Sequence, residues 1–410
     1  MLKSALACLL LVVIITLLPG CSIITGEDTG KPADSEIPVS TEFGRMLGYI
    51  PYSFLGEYDI YFDNWLKAKQ LYGLEDIKSI DDIKAILEDQ RDNVNAFLTE
   101  VTGNRWRSME FEPVIGFDIM TIDRMVFTGV IPPRSFTLAE GDFDEALIIS
   151  KLSGEGYAET VYGTHSYYKA GEDYEIDITS ELGKMALNDM NSMAVFDNTV
   201  MAAPTGHQVT DMFDARDGQV PSVIDNAACR ALADSLGDII TGVITTPERI
   251  IQTDLKMQGM PKFEFTIPED WGLLHRYEMA ALGYRAEGEE RYLVIALYYQ
   301  DEAAAKADGE LIVKRMESYD IGTWASRMGP AAGTGTVPFT EKYVPGEPVI
   351  KKYGDGVVLT IACRKIPTGT RIFSSVIGGP GMPIRDLLFL VPDPSSYIGI
   401  NEEPNVTINK

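Results

Sequence analysis

Three histidines are the chain's only side chains that titrate near neutral pH without perturbation, so proton chemistry depends on what stands beside them. His207, Asp211 and Asp214 are spaced i, i+4 and i+7, which places an imidazole and two carboxylates on one side of a helix. Metal ligands share this spacing. Zinc, however, wants a closed set of three or four ligands, and no second His or Cys cluster accompanies these. They read as a surface helix, and no metal is expected. The stretch DARDGQVPSVID fails as a calcium loop, because counting Gly218 as the sixth position puts Phe213 and Ala215 where oxygen ligands are required. Asp173, Glu175 and Asp177 follow His165 closely and are the acids from which a carboxylate hydrolase would be built. The segment Tyr49 to Tyr72 holds eight aromatics, and Tyr52, Tyr58, Tyr61 and Trp65, interleaved with acids, are the candidates to stack a sugar or a cationic ligand. The competing reading is an extended segment entering a core.

Other reactive patterns lead nowhere. Ser166 and Lys169 have the Ser-x-x-Lys spacing of penicillin-recognising serine enzymes, but HSYYK reads as a strand and that chemistry wants its Ser at a helix start. A Gly-x-Ser-x-Gly elbow, a phosphate-binding Walker loop and a His-Glu-x-x-His zinc helix do not occur in the sequence. No catalytic residue is assigned and no cofactor is expected. Cys229 lies on the apolar face of a helix and Cys363 on the face Val357, Leu359, Ile361, Cys363 of an alternating strand, so both read as core thiols, with a disulfide between them as the alternative.

The N-terminus says where the chain goes. Lys3 precedes a weakly polar to apolar run from Ala5 to Leu18, within the length of a signal-peptide apolar region and short of the roughly 20 residues of a spanning helix. The run ends LLPGC, which resembles the lipobox of bacterial lipoproteins. That resemblance implies cleavage before Cys21, lipidation of Cys21, and a protein held on the cell membrane or outer membrane facing away from the cytoplasm. The alternative is an uncleaved N-terminal anchor, which tethers the body on the same side. One acyl chain holds a membrane only marginally, and the diacylglyceryl group implied by the family meets the need for a second.

Residues 1–20 are thus a signal peptide and residues 21–42 an acidic, Gly-, Pro- and Ser-containing tether. The whole chain has 410 residues, 61 acids and 35 Lys or Arg, a formal charge of −26; without the signal it is 34 − 61 = −27. So acidic a surface excludes a nucleic-acid binder of the usual basic kind.

The elements that must position these residues are mixed. Helical spacing from residue 81 to Gly103, Asp142 and Glu145 as a capping box closed by Gly156, and a helix over DNAACRALADSLGD alternate with short strands. AETVYGTHSYYK and MNSMAVFDNTVMAAP read as hairpins turning at Gly163 and at Asp197–Asn198, and a helix follows from about Gly206 to Asp214. RYLVIALYYQD, VVLTIACRK and DLLFLV are core strands, EAAAKADGELIVKRMESY is a helix burying Leu311, Ile312, Met316 and Tyr319, and Gly322 to Gly356 is a long Gly- and Pro-rich connection.

The fold class is α+β, with mixed or antiparallel sheets and packed helices, in the form of two ferredoxin-like halves. The domains are 43–258 and 259–392, followed by a tail at 393–410. From Gly116 to Asp238 the layout GDFD, helix, GY, YG and DNTVMAAP resembles that of uncharacterised bacterial extracytoplasmic proteins, which implies location and architecture without catalytic residues. The function expected is non-catalytic binding or scaffolding at the cell envelope, with the membrane as partner through Cys21. Its rivals are a solute-binding lipoprotein and the carboxylate hydrolase.

Overall fold

The structure, a computed structural model, describes residues 39–55, 59–86, 89–90, 94, 97, 112–128, 135–247, 274–318, 320–321 and 337–367. All of them belong to one compact unit that begins at Ile37.

Helices α1 (Glu42–Leu47) and α2 (Tyr52–Leu55) lead into strand β1 (Ile60–Asn64), and α3 (Trp65–Tyr72), α4 (Ile80–Ile86) and α5 (Glu112–Ile115) follow. Next come β2 (Ile122–Thr128), β3 (Thr137–Gly141), α6 (Glu145–Gly154), β4 (Ala158–Tyr162), β5 (His165–Lys169), α7 (Glu181–Ala186), β6 (Ser192–Phe196) and β7 (Thr199–Ala203). Helices α8 (Gly206–Arg216) and α9 (Ala227–Leu236) precede β8 (Thr241–Thr245), β9 (Met279–Glu287) and β10 (Glu290–Tyr299). Helix α10 (Glu302–Ser318) then leads to β11 (Asp320–Ile321), β12 (Val337–Pro338), α11 (Phe339–Lys342), β13 (Tyr343–Val344), β14 (Val349–Tyr353) and β15 (Gly356–Lys365).

The α+β class expected from the sequence is observed, as one sheet shared by both halves of the chain. Its order is β13-β15-β10-β9-β8-β1-β2-β3-β7-β6-β5-β4, with β14 also on β15, thirteen strands among the described residues and every ladder antiparallel. The boundary expected at 258/259 lies outside the described residues, and the β8–β9 ladder spans it. At this ladder Gly242 stands opposite Gly283; a Cβ on the first would lie 2.5 Å from Ile239 Cδ1, and one on the second 2.8 Å from Ile239 Cγ2. The missing side chains let Ile239 drop onto the sheet.

Both faces of the inner strands are buried, while the edge strands β4 and β14 are largely exposed, and strand alternation sorts the buried residues between the faces. On β10, Leu293, Ile295, Leu297 and Tyr299 enter one apolar cluster with Ala305, Ile312 and Met316 of α10, whereas Val294, Ala296 and Tyr298 enter the other with Cys229, Leu232 and Leu236 of α9. The expected face Val357, Leu359, Ile361, Cys363 is on the α10 side, and Val358 is on the α9 side. Strands covered on both faces therefore read as unbroken apolar runs although the sheet is antiparallel.

Turn chemistry explains the registers. The β6–β7 hairpin turns at Asp197 (φ 47°) and Asn198 (φ 58°), two left-handed residues as a two-residue hairpin demands. One expectation is corrected at α6: its N-cap is Asp144, whose carboxylate accepts from Leu147 N at 3.0 Å, and not Asp142. The Asp142 amide still donates to Thr121 O next to the β2–β3 ladder, so the chain leaves the sheet two residues later. Glu145 accepts from Asn198 N at 2.9 Å and does not complete a capping box. Much of 337–353 within the expected long connection is ordered, because Gly354 (φ 56°) closes a hairpin that lays β14 on β15. Of the helix expected from residue 81, α4 and the buried residues Val94 and Phe97 are described; DLLFLV and 393–410 lie outside the described residues.

Candidate functional site

Each histidine faces an aspartate from a distant or neighbouring turn, and burial separates the three pairs. His207 Nδ1 is 3.3 Å from Asp211 Oδ1 on the exposed side of α8. Burial raises the Asp211 carboxyl, His207 pulls it back, and Asp214 raises it further. Asp214 does not join them as a ligand: its two oxygens accept from Tyr162 OH at 3.0 and 2.9 Å. His165 Nε2 lies 2.6 Å from Asp217 Oδ2, and its ring stacks on Phe213 with centroids 4.3 Å apart. Among the described residues no three His, Cys, Asp or Glu side chains are grouped to hold a metal.

The third pair is built into the core. Asp308 on α10 is fully buried; its Oδ2 accepts from His275 N and from Tyr299 OH, both at 2.8 Å, while Oδ1 is 2.7 Å from His275 Nδ1. Arg315, two turns along the same helix, is also buried; burial lowers its guanidinium to about 10, with Asp308, Tyr299 and Tyr277 pulling the other way. Tyr299 is raised well above its ordinary value by burial and then by Asp308. Its ring meets Tyr277 edge-on at 6.1 Å. A buried carboxylate thus orients a half-exposed imidazole, the arrangement that fixes a tautomer for proton transfer. Sequence reasoning missed it because the partners are 33 residues apart. The available signal was the pair of charged residues, Asp308 and Arg315, on the same helix stripe as Ala305, Ile312 and Met316.

The acids proposed to work with His165 serve the local backbone instead. Asp173 accepts from Lys169 Nζ at 2.9 Å and from Gly206 N at 3.2 Å; burial would raise it, but these donors hold it below its ordinary value. Glu175 accepts from Glu172 N at 2.8 Å, and Asp177 accepts from the hydroxyl and amide of Thr179, which lower it. His165 pairs with Asp217, outside this triplet.

The proposed aromatic ligand contacts are not gathered into one surface. Tyr61 stacks on Phe127 at 5.4 Å and Trp65 meets Phe97 edge-on at 5.9 Å, all in the α10-side core. Tyr52 is exposed and its hydroxyl is 3.3 Å from Asn226 Nδ2, at the start of α9 on the other side of the sheet. Tyr58 lies outside the described residues. Tyr61 on β1 and Trp65 at the start of α3 are core because a second layer covers them.

Cys229 and Cys363 are free and buried on opposite sides of the sheet, the first 3.2 Å from Met279 Sδ and the second 3.8 Å from Met316 Sδ. Burial pushes Cys363 up to about 12 and raises Cys229 further, so neither is a ready thiolate.

Single apolar side chains are exposed at several places, among them Val161 and Val349, but one loop exposes several together. Residues 171–179, between β5 and α7, are all exposed, and they include Tyr174 (47% exposed), Ile176 (51%) and Ile178 (65%); Leu187, just after α7, is 38% exposed. Exposure here does not come with a free backbone. Tyr174 N donates to Pro204 O at 3.1 Å, and Asn191 Nδ2 donates to Glu175 O at 2.6 Å and to Glu172 O at 3.4 Å. Asn188 Nδ2 donates to Tyr174 O at 3.4 Å. Asp177 O lies so close to Gly183 that a Cβ there would be 1.7 Å away. Tyr174 (φ 63°) and Leu187 (φ 54°) hold left-handed backbone without being glycine.

No family model matches the chain, and no curated protein does. Three solved structures of TP0453 align with it. Crystal form I gives a TM-score of 0.33 at 10% identity over 82% of this chain and 97% of that one. Form III gives 0.30 at 10% over 77% and 93%, and form IV gives 0.29 at 11% over 76% and 92%.

Proposed function

We propose that the chain is an extracytoplasmic lipoprotein, anchored in the cell membrane or outer membrane through a lipidated Cys21, whose α+β body binds or scaffolds a partner at the cell envelope. The address is supported by Lys3, the apolar run and LLPGC, followed by an acidic tether. No described helix is long and apolar enough to cross a membrane.

The observation that supports binding is the loop at 171–179. Its apolar side chains face water while buried asparagines hold its backbone in place. A surface ordered before it meets a partner loses little entropy on meeting one. Strained backbone at an exposed site also points to function.

Replacing Cys21 by Ala tests the anchor. Incorporation of labelled fatty acid is expected to disappear and the protein to leave the membrane fraction; unchanged labelling would refute lipidation.

A further inference from the structure

Resting on the binding role just proposed, we infer that the loop at 171–179, with Leu187, docks on a protein partner that presents an apolar groove rimmed by Lys or Arg. Three observations converge on that occupant. The first is the side chains: Tyr174, Ile176 and Ile178 alternate with Glu175 and Asp177, so Tyr174 and Ile176 stand between two acids each and Ile178 between Asp177 and Thr179. Contiguous exposed apolar groups with a polar rim mark contact surfaces.

The second is charge. Across 169–187 there are five acids, Glu172, Asp173, Glu175, Asp177 and Glu181, against Lys169 and Lys184, a balance of 2 − 5 = −3. Both lysines are already paired within the segment, Lys169 with Asp173 and Lys184 with Glu181. The remaining negative field repels an anionic bilayer and a second copy of this acidic surface, and attracts a basic rim.

The third is rigidity. Hydrogen bonds from Asn188 and Asn191, and the Tyr174 amide on Pro204, keep the loop from folding its apolar groups back onto the body. It is presented as a fixed ridge, which suits a groove.

The test uses the full chain and the double variant Ile176→Ser/Ile178→Ser, which leaves every charge in place. The probes are fluorescent synthetic peptides of six Leu-Lys repeats and of six Lys-Gly repeats, read by anisotropy. The Leu-Lys peptide is expected to bind the parent and to bind the variant about tenfold more weakly or worse, as burial of one to two Ile side chains implies. The Lys-Gly peptide should not distinguish the two proteins. Equal binding of the Leu-Lys peptide by both proteins would overturn the inference.

Two further arms assign the occupant. In the Cys21→Ala background, flotation with phosphatidylcholine vesicles that is lost in the Ile variant would overturn the protein partner in favour of a membrane. A parent dimer that the Ile variant abolishes in sedimentation velocity would overturn it in favour of a second copy. Should the double variant melt below the parent, Ile178→Ser alone, at the most exposed of these positions, repeats the peptide comparison. All peptide measurements are made without membrane, so their failure leaves the fatty-acid result on Cys21 untouched, and the reverse holds.

Discussion

At the scale of residues, the same pair of side chains means different things at different depths. His165–Asp217 and His275–Asp308 have nearly equal separations, 2.6 and 2.7 Å, but the first is partly solvated and the second ends on a carboxylate sealed from water. An exposed pair contributes at most about 1 kcal/mol, whereas removing one member of a buried charged set leaves its partners uncompensated at about 3–5 kcal/mol. Asp308→Ala strips the acceptor from His275 and Tyr299 and the nearby negative charge from buried Arg315. We expect it to lower the unfolding free energy in urea by about 3–5 kcal/mol, against under about 1 kcal/mol for Asp217→Ala. Similar losses for the two variants would show that the Asp308 network is not held in a dry environment.

Among the elements, α7 is short but fixes the loop that precedes it. Ser180 caps it by accepting from Gly183 N at 3.0 Å, and its hydroxyl donates to Asp177 O at 3.2 Å, which brings that carbonyl against Gly183. The absence of a Cβ at Gly183 is what permits this approach. Gly183→Ala is expected to push Asp177 away at a cost of about 1–3 kcal/mol, as overpacking usually does. Faster amide hydrogen exchange at Glu175 and Thr179, with the β6–β7 hairpin unchanged, is the expected readout. Unaltered exchange would mean that the asparagine contacts hold the loop without α7.

For the molecule as a whole, the shared sheet couples the early and late segments of the described residues. β1, from the start of the body, lies between β8 and β2, and β8 hands the sheet on to β9, β10 and β15. Tyr353 of β14 donates to Asp234 of α9 at 2.7 Å, and Ser40, near the first described residue, donates to the same carboxylate at 2.5 Å. We expect β6–β7 and β10–β15 to lose hydrogen-exchange protection at one denaturant concentration. Two separated transitions would show that the halves fold independently on either side of the β8–β9 ladder.

Local features were legible in the sequence because short-range physics decides them. The left-handed turn at Asp197–Asn198, the apolar stripe of Cys229, Leu232 and Leu236, and the inward face ending at Cys363 all follow from backbone preferences and periodicity over a few residues. The Asp144 cap lay two residues from its expected place because Asp142 was already engaged with Thr121, a contact across the chain. Tyr61, on β1, and Trp65, at the start of α3, looked like ligand contacts because a sequence does not say that a second layer covers them. The His275–Asp308–Tyr299 network and the pinning of 171–179 by Asn188 and Asn191 join residues whose separation along the chain carries no signal. Composition and periodicity by themselves determined an acidic α+β body with short hairpins, since those are properties of neighbouring residues. Only the tertiary structure decided which polar groups are buried together and which apolar ones are left facing water, since burial depends on what the rest of the chain brings alongside.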